Sequence, residues 1–64
     1  MNKTINGTYE NHYQAKNAWD DLIASGILRD NIFIDEEAKV LKVSVPAEVE
    51  REILEIFERH ELSL

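Results

Sequence analysis

Residues 32–45, IFIDEEAKVLKVSV, decide how this chain folds. Ile32 and Ile34 alternate with Phe33 and Asp35, and Leu41, Val43 and Val45 alternate with Val40, Lys42 and Ser44. Between the two runs lies the polar stretch Glu36-Glu37-Ala38-Lys39. Period-two alternation on both sides of a short polar loop predicts a β-hairpin, with strands over 32–35 and 40–45. Ile32, Ile34, Leu41, Val43 and Val45 suit the core face. Phe33, Val40 and Lys42 fall on the other.

Outward from the hairpin, both flanks turn helical. Upstream, Ala15, Ala18, Trp19, Leu22 and Ile23 recur at helical spacing and form one apolar stripe. Asn11 followed by Gln14 is a capping-box pattern at its start, and Gly26 with Ile27 is a left-handed stop at its end. Tyr13 lies opposite the stripe and is expected to be exposed. Downstream, Pro46 lacks a ladder donor and suits the first turn of a helix. Val49, Ile53, Ile56, Phe57 and His60 make the inner stripe of that helix, Leu54 lies to one side of it, and Glu55 and Arg59 form an expected i,i+4 ion pair. At the amino end, residues 4–9 alternate again. Ile5, Gly7 and Tyr9 face one way, and Thr4, Asn6 and Thr8 the other. Gly7 implies a close helix approach or a bulge.

The order is thus β-α-β-β-α, a two-layer α+β sandwich in one domain over residues 1–64, with sheet order 1-3-2 and both helices on one face. It is a ferredoxin-like frame lacking its last strand. A right-handed closure is expected to set strands 1 and 3 parallel, and therefore the helices parallel. The missing strand would cover the outer edge of strand 1. That edge is predicted to be bare, with Lys3 its only guard, unless the tail at Leu62 and Leu64 or a second subunit pairs with it.

The run Gly7-Thr8-Tyr9-Glu10, then Gln14-Ala15, Ala18-Trp19-Asp20-Asp21-Leu22 and Gly26-Ile27 through Asp30-Asn31-Ile32, resembles the small bacterial domains typified by heat-induced stress protein YflT. The resemblance covers roughly residues 5–35 and rests on structural signals: a strand ending in an aromatic, an Ala-rich helix and a Gly-hydrophobic stop. It implies this fold and a bacterial cytosolic setting, and carries over no catalytic residue.

Composition narrows the functional classes. A chain of 64 residues buries only about 60% of its unfolded surface. It has no cysteine, so neither disulfides nor thiolate zinc can supplement the core. Self-association is the remaining common staple. The net charge of −6, with six glutamates against Arg51 and Arg59 in residues 46–64, disfavours phosphate backbones and anionic lipid. Only Phe33 could stack a base, so nucleic acid is a poor partner. No apolar run reaches membrane-spanning length and the amino end shows no signal peptide, so a cytoplasmic protein is expected.

No nucleophile constellation, phosphate loop or metal cluster appears, and neither an enzyme nor a bound cofactor is expected. His12 and His60 are the only imidazoles. On parallel helices they would sit at opposite ends, about 20 Å apart, too far to share an ion. Asp35, Glu36 and Glu37 in the hairpin loop read as solvated acids rather than a cation site. Two expectations remain. The first is a homodimeric interaction module using the strand-1 edge (Thr4, Asn6, Thr8), the open sheet face (Phe33, Val40, Lys42) or the tail (Leu62, Leu64). If the face is used, Phe33→Asp should dissociate the dimer. The second is a small-ligand sensor with polar groups from Asn6, Thr8, Arg29 and Asp30 at a subunit boundary.

Overall fold

A computed structural model describes residues 2–64. Strand β1 (Asn2–Thr8) is followed by helix α1 (His12–Ala24), the hairpin β2 (Ile32–Asp35) and β3 (Val40–Pro46), and helix α2 (Glu50–Arg59). The sheet order is β1-β3-β2, and both helices cover one face.

The direction of β1 corrects the sequence reading. It pairs antiparallel with β3, Ile5 opposite Val43, and β2 pairs antiparallel with β3 as well. The reason lies in the connections. Helix α1 carries the chain back, so β2 starts at the same end as β1 and runs alongside it. The hairpin then reverses β3, which slots between them as the middle strand of a split β-α-β unit. The same step sets the helices antiparallel, so the first turn of α1 meets the last turn of α2.

The core forms where the period-two and helical stripes converge. Ile5, Tyr9, Leu41, Val43 and Val45 from the sheet meet Ala15, Ala18 and Leu22 of α1 and Ile53, Ile56 and Phe57 of α2. Gly7 permits this approach: a Cβ there would lie 2.7 Å from Phe57 Cδ2 and 3.2 Å from Leu62 Cβ. Close packing, not a bulge, is its role.

Helix α1 starts and stops where its sequence signals lie, but only half of the capping box forms, because Gln14 Oε1 accepts from the Glu10 N–H ahead of the cap rather than from that of Asn11. Asn11 Oδ1 accepts from the Gln14 N–H at 2.9 Å. At the other end Gly26 adopts φ 94°, the Ile27 N–H donates to the Leu22 carbonyl at 3.1 Å, and the Gly26 N–H donates to that of Ile23 at 3.0 Å. These two bonds form a Schellman motif. Helix α2 differs at its start. Pro46 stays in β3 with φ −61° and ψ 150°, and a 3-10 turn over Ala47–Val49 leads into the helix without a side-chain cap. Its end repeats the Schellman pattern. The Leu62 N–H donates to the Phe57 carbonyl at 2.9 Å and the Glu61 N–H to that of Glu58 at 3.0 Å, with Glu61 itself at φ 60°. Among the described residues no helix is long and apolar enough to cross a membrane.

Candidate interaction edge and helix groove

Beyond α2 the chain turns back along the outer edge of β1. Thr8 and Ser63 exchange two backbone hydrogen bonds, 2.7 and 2.9 Å, in an antiparallel bridge. This is the start of the frame's last strand, and among the described residues it engages Thr8 alone. Backbone groups alternate sides along an antiparallel strand. Tyr9 donates toward β3, to the Lys39 carbonyl at 3.0 Å, and Thr8 faces the tail. Asn6, Thr4 and Asn2 therefore turn their N–H and C=O groups outward, and among the described residues nothing pairs with them. Thr4, Asn6 and Thr8 are also exposed as side chains.

The remaining interface candidates are dispersed. Phe33 is 60% exposed on the uncovered sheet face, beside the exposed Lys42 and the half-buried Val40. It stands on β2, at the sheet edge opposite β1. Leu64 is 77% exposed, whereas Leu62 is buried against the core and is used inside the fold rather than offered to a partner. Leu54, Leu62 and Leu64, with Glu58 and Glu61, line an open groove of about 510 Å³ between α2 and the tail. Lys3, the expected guard of the edge, is drawn onto α2, its Nζ 3.1 Å from Glu50.

Antiparallel helices bring together residues that the sequence reading kept apart. Asp21 of α1 accepts from Arg59 Nη1 at 2.7 Å and lies 3.0 Å from His60 Nε2. Arg59 thus pairs across the helices, not with Glu55 on its own. The hydrogen bond with His60, reinforced by the Arg59 guanidinium, holds the Asp21 carboxyl below its ordinary range despite burial. His12 reaches Glu36 instead, at 3.6 Å, so the two imidazoles serve different acids. Tyr9 is buried with its hydroxyl 3.4 Å from the Asp35 carbonyl. Burial, then the charges of Glu36 and Asp35, push its pKa up. Tyr13 is exposed, as expected, with its ring against the edge of His12.

The polar groups proposed for a small ligand are not assembled. Thr8 sits at one end of β1, level with Val40 and Asp35, while Arg29 and Asp30 precede β2 at the opposite end of the sheet. The Arg29 guanidinium lies 5.9 Å from the Trp19 ring. Sequence reasoning overlooked Gln14 and Asp21 as tertiary residues. The helical period does place Gln14, Asp21 and His60 beside the inner stripes, but pairing them needs the helix direction.

The fold and edge define a split β-α-β antiparallel sandwich with an incompletely occupied last-strand position. No family model, curated protein sequence or solved structure matches the chain.

Proposed function

We propose that this protein is a non-catalytic interaction module that works as a homodimer. The observation that carries this reading is the outer edge of β1, where among the described residues the outward backbone groups of Asn2, Thr4 and Asn6 are open beside the bridge at Thr8. An open edge is a template for another strand, and native proteins cover or blunt such edges. Here no proline or bulge interrupts the strand, and its one charge, Lys3 on the helix-facing side, is tied to Glu50. The small core adds a thermodynamic motive, since association buries surface that one copy leaves wet. The ionisable side chains between the helices support a structural role, because Arg59 and His60 of the α2 end both bond Asp21 of α1. Sedimentation equilibrium over a wide concentration range tests the proposal. A monomer–dimer equilibrium is expected, and a single monomeric species at every concentration overturns it.

A further inference from the structure

Resting on that homodimer reading, we infer that the partner is a second copy's β1, added antiparallel with Thr4 on the two-fold axis. Three features of the edge lead there. The outward groups belong to Asn2, Thr4 and Asn6, a set symmetric about Thr4, and the bridge to Ser63 closes the edge at Thr8. An isologous contact must map this set onto itself. Only the register placing Thr4 opposite the partner's Thr4 does so with every open group satisfied: Asn2 then faces the partner's Asn6, and each facing pair exchanges two bonds. The direction is also the one the edge already accepts, since Ser63 pairs antiparallel.

The second feature is the helix above the edge. Lys3 reaches Glu50 at the start of α2, and Gly7 lies under Phe57 further along. Helix α2 therefore runs beside β1 in the same direction, and Leu54 falls about level with Ile5, next to the proposed axis. Leu54 opens into the groove shared with Leu62 and Leu64 rather than into the centre of the core. Two copies related by an axis at Thr4 bring their Leu54 side chains toward each other over the joined strands. The groove thus continues the strand edge as one surface.

The third is charge. The strand itself offers neutral Asn2, Thr4 and Asn6 side chains, and its lysine neutralises the nearest α2 acid, Glu50. The strand seam therefore brings no like charges of its own together, while Glu58 and Glu61 stand along the adjoining groove. The product is a six-stranded sheet in which the partner's β1 takes the edge from Asn6 to Asn2.

The register is open to direct test because the chain has no cysteine. The Thr4→Cys variant should form a disulfide-linked dimer under mild oxidation, its two Cα atoms lying about 5.5 Å apart. The Asn6→Cys variant should not, since its two thiols would be roughly 13 Å apart. The Thr4→Pro variant removes an outward N–H that the monomer does not use, so it should stay folded by circular dichroism yet sediment as a monomer. Phe33→Asp, on the far strand, should remain dimeric. If the parent chain is dimeric but Thr4→Cys fails to cross-link, or Asn6→Cys links instead, the edge register is wrong while self-association stands. A dimer broken by Phe33→Asp and untouched at Thr4 moves the interface to the open face. A parent chain that is always monomeric removes both proposals.

Discussion

Gln14 Nε2 donates to the His60 carbonyl at 2.9 Å, tying the first turn of α1 to the last turn of α2. The same nitrogen donates to the Glu61 carbonyl at 2.8 Å, and Oε1 accepts from the Glu10 N–H, also at 2.8 Å. One side chain thus serves an orphan donor ahead of one helix and orphan acceptors at the end of another. Gln14→Ala is expected to lower unfolding stability by about 1–2 kcal/mol, the combined scale of a lost cap and a lost interhelix bond. Gln14→Glu separates the two roles. It keeps the acceptor for Glu10 but sets a carboxylate against carbonyls at a helix C-terminus, so urea unfolding should find it no more stable than the alanine variant.

The α2 stop is built on the wrong residue for its geometry. Glu61 holds φ 60°, where a side chain is strained, and places an acid at the negative end of the helix dipole. Its backbone, not its carboxylate, makes the bonds to Glu58 and Gln14. Glu61→Gly should therefore raise stability by about 0.5–1 kcal/mol, after the entropy that glycine adds to the unfolded chain. A lower urea midpoint in this variant would contradict that account.

Gly7 makes the opposite prediction. An added methyl would stand 2.7 and 2.8 Å from the Phe57 ring, inside a packed core. Alanine is the better strand residue, yet relieving this overlap requires β1 and α2 to separate. Gly7→Ala is expected to cost about 1–3 kcal/mol. The same displacement acts on Leu62, so the amides of Thr8 and Ser63 should lose hydrogen-exchange protection before those of β3.

How far these relationships could be read from sequence depends on whether they are local. The Asn11 cap, the Gly26 stop and the alternation in β2 and β3 are set by neighbours within a few residues, and each is found where its signal lies. Strand direction is not local. It depends on how the hairpin slots beside β1, and reversing it carries His60 from the far end of α1 to Asp21 and Gln14. For the same reason Arg59 forsakes Glu55, four residues away, for Asp21. Leu62 shows a subtler limit. The tail at Leu62 and Leu64 is expected only as one possible cover for the edge, and the gap left by Gly7 is what lets Leu62 turn inward.

The partly buried Asp21 and the buried Tyr9 make stability fall at the two ends of the pH range. Asp21 has its pKa lowered from 3.8 by His60 and Arg59, so as pH falls the unfolded chain takes up this proton first. Its contribution is fully present above the unfolded value and is lost as pH drops through the folded one. Tyr9 acts at the other limit. Its pKa is raised from 10.0 by burial, so the unfolded chain ionises first as pH climbs, and stability declines above about pH 10. Urea midpoints measured across the pH range should thus fall on both the acid and the alkaline limb. Asp21→Asn should lower stability near neutrality by about 1–2 kcal/mol, on the scale of a charged hydrogen bond at a partly buried site. It should also flatten the acid limb, while Tyr9→Phe, which keeps the ring and gives up one long hydrogen bond, should flatten only the alkaline limb. An acid limb of unchanged steepness in Asp21→Asn would assign acid unfolding to other carboxylates and reduce the Asp21–His60 contact to a packing contact.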